Sequence, residues 1–167
     1  MATFVGGVFA NLFYGWFCDK YEPKTLWTKA LVCGTSLLGT SICYFLMFYP
    51  FFNIAFPLSV IAVNTFLFEG WTPPSVSMMC NTCGVGKSPV IALMISMIGA
   101  AQLVQSAVCA SMLPLDASFD QLQFGLLINT VIPAAVASFC FYISGFDYVR
   151  KMTEINKQRA EALETAK

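Results

Sequence analysis

The chain has 167 residues, of which 57% are hydrophobic, 15% aromatic and only 11% charged, and its formal net charge is zero. A soluble domain carries about a quarter charged residues, so the charges here are too few to cover a water-facing globule, in keeping with a mean hydropathy of +0.70. The zero total says nothing of acidic partners, no nucleic-acid partner is expected, and the absence of histidine excludes Ser-His or Cys-His catalysis and removes the commonest metal ligand.

In chain order, uncharged runs predict five transmembrane helices, over about residues 3–18, 30–50, 54–79, 89–113 and 124–144. Each is near the roughly 20 apolar residues a bilayer crossing needs. The fold class expected is all-α: a polytopic membrane region over 1–146, followed by a cytoplasmic amphipathic tail over 147–167. The first span has no basic residue before it, so a cleaved signal peptide is not expected. The second opens after the polar stretch Asp19–Lys24 and closes at Tyr49-Pro50, with little but Asn53 before the third. Pro57 and the pair Pro73-Pro74 predict kinks in the third span. Ser88-Pro89 is a good start for the fourth, with serine as cap and proline in the first turn. In the tail, Tyr148, Met152, Ile155, Ala162 and Leu163 recur at helical spacing among basic residues, which predicts an interfacial helix that frays.

Charge placement gives orientation. If the spans alternate, Lys20, Lys24, Lys29, Lys87, Arg150, Lys151, Lys157, Arg159 and Lys167, all nine bases, fall on one side, and Asp116 and Asp120 on the other. The positive-inside rule then puts the C-terminus in the cytoplasm or its organellar equivalent and the N-terminus outside.

Several constellations invite a chemical reading. Asn81–Ser88 ends like a phosphate loop in Gly-Lys-Ser but lacks the opening glycine and the preceding strand; a short loop before a capped helix is the simpler account. Cys80 and Cys83 form a C-x-x-C pair with no second pair or histidine to complete a zinc site. Most other cysteines lie within apolar runs as small hydrophobes. No metal, cofactor or enzymatic site is expected. Glu69 is the one ionisable residue deep inside a span, and such a residue is costly and points to function. Thr65, Glu69, Thr72 and Val76 share a face, and Pro73-Pro74 would loosen the helix beside it, as at transporter sites. Span four carries the stripe Ala92, Ser96, Gly99, Gln102, Ser106 and Ala110, and span one offers Gly7, Asn11 and Gly15; close packing is the competing account of both. Spans two and five look lipid-facing. Gly15, Asp19 and Lys20 combine a close-approach glycine with charges able to meet a neighbouring helix end.

The segment Gly15-Trp16-Phe17-Cys18-Asp19-Lys20 resembles the loop signature between helices eight and nine of the major facilitator superfamily, and the five spans look like helices eight to twelve of that fold. Within it the chain is similar to Spinster-like transporters, on Thr72-Pro73-Pro74, the basic start of the next helix at Lys87, and the exit Phe141-Tyr142-Ile143 to Tyr148-Val149-Arg150-Lys151. Glu69 does not align with the acid expected early in that family's tenth helix. The resemblance implies a partial major-facilitator fold: the C-terminal portion of a secondary transporter of an organic solute, lipid-like if the Spinster likeness carries over. It would work by alternating access, with the first, third and fourth spans lining the path and Asp19 bracing the cytoplasmic side. Glu69, Gln102, Asn11 and Thr72 are then the candidate substrate or coupling residues. Expected partners are the bilayer and an N-terminal transporter half or other membrane subunits, the chain being a fragment, a split piece or a standalone subunit. The alternative is a non-transporting structural subunit of a larger membrane complex.

Overall fold

The computed structural model describes residues 2–48, 55–82, 87–112 and 118–165. Six helices account for nearly all of them, with no strand among the described residues: α1 (Ala2–Tyr21), α2 (Thr28–Phe48), α3 (Ala55–Glu69), α4 (Thr72–Thr82), α5 (Lys87–Met112) and α6 (Phe119–Thr165). Three of them, over Thr28–Met47, Ile91–Val108 and Asp120–Thr165, contain stretches long and apolar enough to cross a membrane.

Local chemistry sets the helix ends. α1 stops just before Pro23, because the residue ahead of a proline is pushed out of helical geometry. The return into α2 is pinned by the Thr28 hydroxyl, which donates to the Thr25 carbonyl at 2.7 Å. α6 opens with a reciprocal cap: the Ser118 amide donates to Gln121 Oε1 at 3.0 Å, and the Gln121 amide to Ser118 Oγ at 3.4 Å, which satisfies two otherwise orphaned donors.

The expected third span, 54–79, is two helices rather than one kinked helix. α3 ends in a tightened turn, with the Gly70 amide on the Leu67 carbonyl at 3.0 Å. Pro73 and Pro74 then lie in the first turn of α4, where a missing N–H costs nothing and a fixed φ favours helix initiation. The prolines therefore start a helix instead of bending one, and the break falls at Gly70-Trp71.

Pro133 lies inside α6 without ending it. A proline leaves the carbonyl four residues earlier without its helical donor. That carbonyl is Asn129's, and the Gln105 amide of α5 donates to it at 3.1 Å, so a neighbouring helix supplies the lost bond.

α2 lies at the centre of the described bundle, touching α1, α3, α4 and α6, with α6 its most extensive partner. About half of its apolar stretch is buried. This corrects the expectation that the second span faces lipid: apolar uniformity had suggested exposure, but small residues make α2 a packing surface. A Cβ on Gly34 would lie 2.7 Å from the Tyr142 ring, and one on Gly145 would lie 2.7 Å from the Ala30 Cβ. Small residues let backbones approach this closely, and two hydroxyls use the proximity. Ser138 donates to the Gly34 carbonyl at 2.7 Å and Ser41 to the Val131 carbonyl at 2.9 Å. α5, in contrast, packs on α4 and α6 and leaves most of its surface exposed.

The expected boundary between span five and a fraying tail is not seen. α6 is continuous to Thr165, at 1.5 Å per residue about 70 Å long. Tyr148 and Met152 are buried with Ala30 and Met78, with Leu26 and Ile155 packed against them. The first part of the tail's stripe, Tyr148, Met152 and Ile155, thus closes one end of the bundle, whereas Leu163 further along is exposed.

Candidate functional site

Two polar clusters stand out, one within the helical layer and one at its end. The first forms where α3 stops. Glu69 is the last residue of α3, and its Oε2 accepts from the Asn11 side-chain amide of α1 at 3.4 Å. The same Asn11 nitrogen donates at 3.0 Å to the Gly7 carbonyl one turn earlier. A Cβ at Gly7 would stand 3.4 Å from Glu69 Cγ, so the glycine gives the acid its room. The Tyr14 ring fills the space that a Cβ at Gly70 would need, and Phe66 packs on both Tyr14 and Phe13 at ring separations of 5.2 and 5.8 Å. The structure thus brings Glu69 and Asn11 together, on opposite sides of a glycine-lined contact, with both side chains half-buried.

Other expected members stand apart. Thr72 opens α4 across the break, where its carbonyl accepts from the Ser75 hydroxyl at 2.9 Å. Gln102 belongs to α5, whose neighbours are α4 and α6, and its side chain lies outside the described residues. In the same stripe, Ser96 is exposed and Gly99 has open space around it.

The second cluster was not anticipated. Lys29, at the start of α2, is only 2% exposed and pairs with Glu22 at 2.6 Å. Its ammonium also donates to the Ser77 hydroxyl of α4 at 2.7 Å. The Tyr148 hydroxyl of α6 donates to the second Glu22 oxygen at 2.6 Å and accepts from the Asn81 amide at 3.2 Å. Burial, and next the bond to Glu22, push the Tyr148 hydroxyl above the usual tyrosine range. The α1–α2 turn, α4 and α6 are thereby joined at one end of the bundle. The available signal in the sequence was Tyr148 itself, in helical register with Met152 and Ile155. That stripe predicts a buried face, and a buried tyrosine hydroxyl needs a polar partner.

Among the described residues, no hydrogen bond or ion pair ties Asp19 or Lys20 to another helix end. A Cβ at Gly15 would meet nothing within 4 Å. Asp19 is exposed, and Lys20 lies over the Trp16 ring of its own helix at 4.7 Å. A cation over an aromatic face is stabilised locally, so the lysine is engaged without reaching across. The tie across helices is made instead by Glu22 and Lys29, three and ten residues beyond Asp19.

Cys83–Gly86 lie outside the described residues, as do Lys87's side chain and Asp116, so the Gly-Lys-Ser segment, the C-x-x-C pair and the 113–117 connection are not described. Among the described residues, no group of three or more potential metal-ligating side chains occurs. No protein-family model, curated protein or solved structure matches the chain.

Proposed function

We propose that the chain is the C-terminal portion of a secondary transporter, built from five membrane crossings of which α3 and α4 together make the broken third. The observation that carries this reading is Glu69 at a helix break, in contact with Asn11 of another helix. A carboxylate at such depth is expensive unless it does something, and interrupted helices recur at transporter binding sites because they free backbone groups and permit movement. Glu69 takes the coupling or polar-contact role, and Asn11 holds it. The solute is organic, and lipid-like in the Spinster-like version of the proposal.

The orientation proposed is C-terminus in the cytoplasm or its organellar equivalent. The end where Glu22, Lys29 and Tyr148 meet also carries Lys20, Lys24, Arg150 and Lys151, which accords with the positive-inside rule. Alternating access needs a facing bundle, from further residues of the same polypeptide or from a partner chain. The open surface around Gly15 is where Gly15, Asp19 and Lys20 would meet it.

The test is to isolate the tagged chain gently with its native companions and reconstitute it in vesicles containing a pH-sensitive dye. A panel of organic solutes, lipid-like ones included, is then presented under a proton gradient. Solute-dependent acidification that Glu69→Gln abolishes and Asn11→Ala weakens supports the proposal. Flux indifferent to Glu69→Gln removes that residue from the mechanism. Isolation at fixed stoichiometry within a complex of some other activity overturns the transporter reading in favour of a structural subunit.

A further inference from the structure

A cavity of about 900 Å³ lies between α4, α5 and α6, with Trp71 of the α3–α4 break in its lining and neither Glu69 nor Asn11 among the lining residues. It is at the upper end of the roughly 300–1,000 Å³ usual for ligand pockets. Its chemistry changes along its length. One part is apolar, lined by Trp71, Met94, Met97, Ile98 and Phe141, with Met78 beside Tyr148 and Met152. The other end is ringed by Asp147, Arg150, Lys151 and Glu154 of α6. From Phe141 to Arg150 is about 14 Å at 1.5 Å per residue, so the gradient runs along the helix axis; with the crossings proposed above, its apolar part faces the hydrocarbon layer and its charged end the headgroups. The cavity also opens sideways: Met97 lines it and is 61% exposed, on a helix that is otherwise apolar and little buried.

We infer that this cavity holds one zwitterionic phospholipid of the surrounding bilayer, with an acyl chain along the methionine-lined wall and the headgroup on the α6 rim. Thioether side chains are flexible and polarisable, which suits an apolar chain without fixed shape. The rim carries two bases and two acids within eight residues. Arg150 leans on Glu154 at 3.6 Å, whereas among the described residues no ion pair engages Lys151 or Asp147. A headgroup phosphate complements Lys151 and a headgroup amine complements Asp147; a purely anionic headgroup meets the two acids unfavourably. Lipid held here would fill the wedge between α5 and the rest of the bundle, and it does not depend on the chain being a transporter.

The full chain, purified in a mild detergent, is mixed with equimolar dioleoylphosphatidylcholine and dioleoylphosphatidylglycerol and examined by native mass spectrometry. One phosphatidylcholine per chain is expected, at least fivefold in excess over phosphatidylglycerol. Ala101→Phe, which fills the cavity wall, should abolish retention, and Lys151→Glu, on the exposed surface, should reduce it at least fivefold. Helix content by circular dichroism checks folding; Lys151→Glu, at an exposed side chain, keeps the test decisive if the filled variant misfolds. Absence of a stoichiometric lipid, or equal retention of the two lipids, overturns the inference. So does retention indifferent to Lys151→Glu.

Discussion

Glu22 and Glu69 are both acids held against other helices, and the contrast between them separates a structural charge from an available one. Glu22 has a partner for each oxygen, Lys29 and Tyr148, both at 2.6 Å. Glu69 has one side-chain hydrogen bond among the described residues, at 3.4 Å, from an amide already committed to a backbone carbonyl. Charged hydrogen bonds at the shorter distance are strong and well directed, whereas the longer one is near the limit of usefulness. A carboxylate whose oxygens are saturated fixes geometry. One with spare capacity can exchange partners.

The largest effect should come from breaking the saturated pair. Lys29→Met leaves Glu22 partly buried without its counter-ion, and losing one partner of a buried pair costs about 3–5 kcal/mol. Glu22 is 20% exposed, so the lower end applies. Thermal unfolding in detergent should show the loss, with much of it recovered in the Lys29→Met/Glu22→Gln double variant. Additive losses would mean the two residues act separately.

Tyr148→Phe keeps the ring against Ala30 and Met78 but removes a hydrogen bond to a charged acceptor, a loss of about 1.5–3 kcal/mol. The raised hydroxyl adds a pH signature. Above the ordinary tyrosine value of 10.0, the unfolded chain has lost the proton and the folded chain still holds it, so stability falls as pH rises. A chemical-unfolding series should show an alkaline decline beginning near there in the parent chain and smaller in Tyr148→Phe; equal declines would dissociate the hydroxyl from the network.

Away from both acids, Gly34→Ala probes the α2–α6 approach. The new methyl would sit 2.7 Å from the Tyr142 ring, and overpacking of this kind costs about 1–3 kcal/mol. Adding Tyr142→Ala should recover part of it, read again by thermal unfolding. If Gly34→Ala is neutral, the ring moves freely and the close packing is not a constraint.

Those residues also show what the sequence made legible. The helical class followed from apolar runs and sparse charge, and the Glu69–Asn11 contact joins two residues singled out because each is polar where its helix is not. What escaped was relational. Lys29 reads as one more basic loop residue until Ser77 and Glu22, 48 and 7 residues away, are placed around it. The central position of α2 escaped for a related reason: Gly34, Ser36 and Thr40 report through size, which a reading weighted by polarity discounts. The break at Gly70-Trp71 was placed at the prolines because a proline signals an interruption without saying whether it ends one helix or begins the next.

Glu69→Gln should have the smallest effect on stability. The neutral amide keeps an oxygen that can accept from Asn11, and a single 3.4 Å contact at a half-buried site contributes little, so unfolding should shift by less than about 0.5 kcal/mol. That near-silence is what makes the variant informative. Glu22→Gln, by weakening a saturated pair, should lower stability before it alters any activity of the assembly. Under the proposed function, Glu69→Gln should do the reverse, leaving the unfolding midpoint in place while abolishing solute-coupled proton movement. A Glu69→Gln chain that unfolds as readily as Lys29→Met would mean that this acid is structural too, and the contrast between the two carboxylates would disappear.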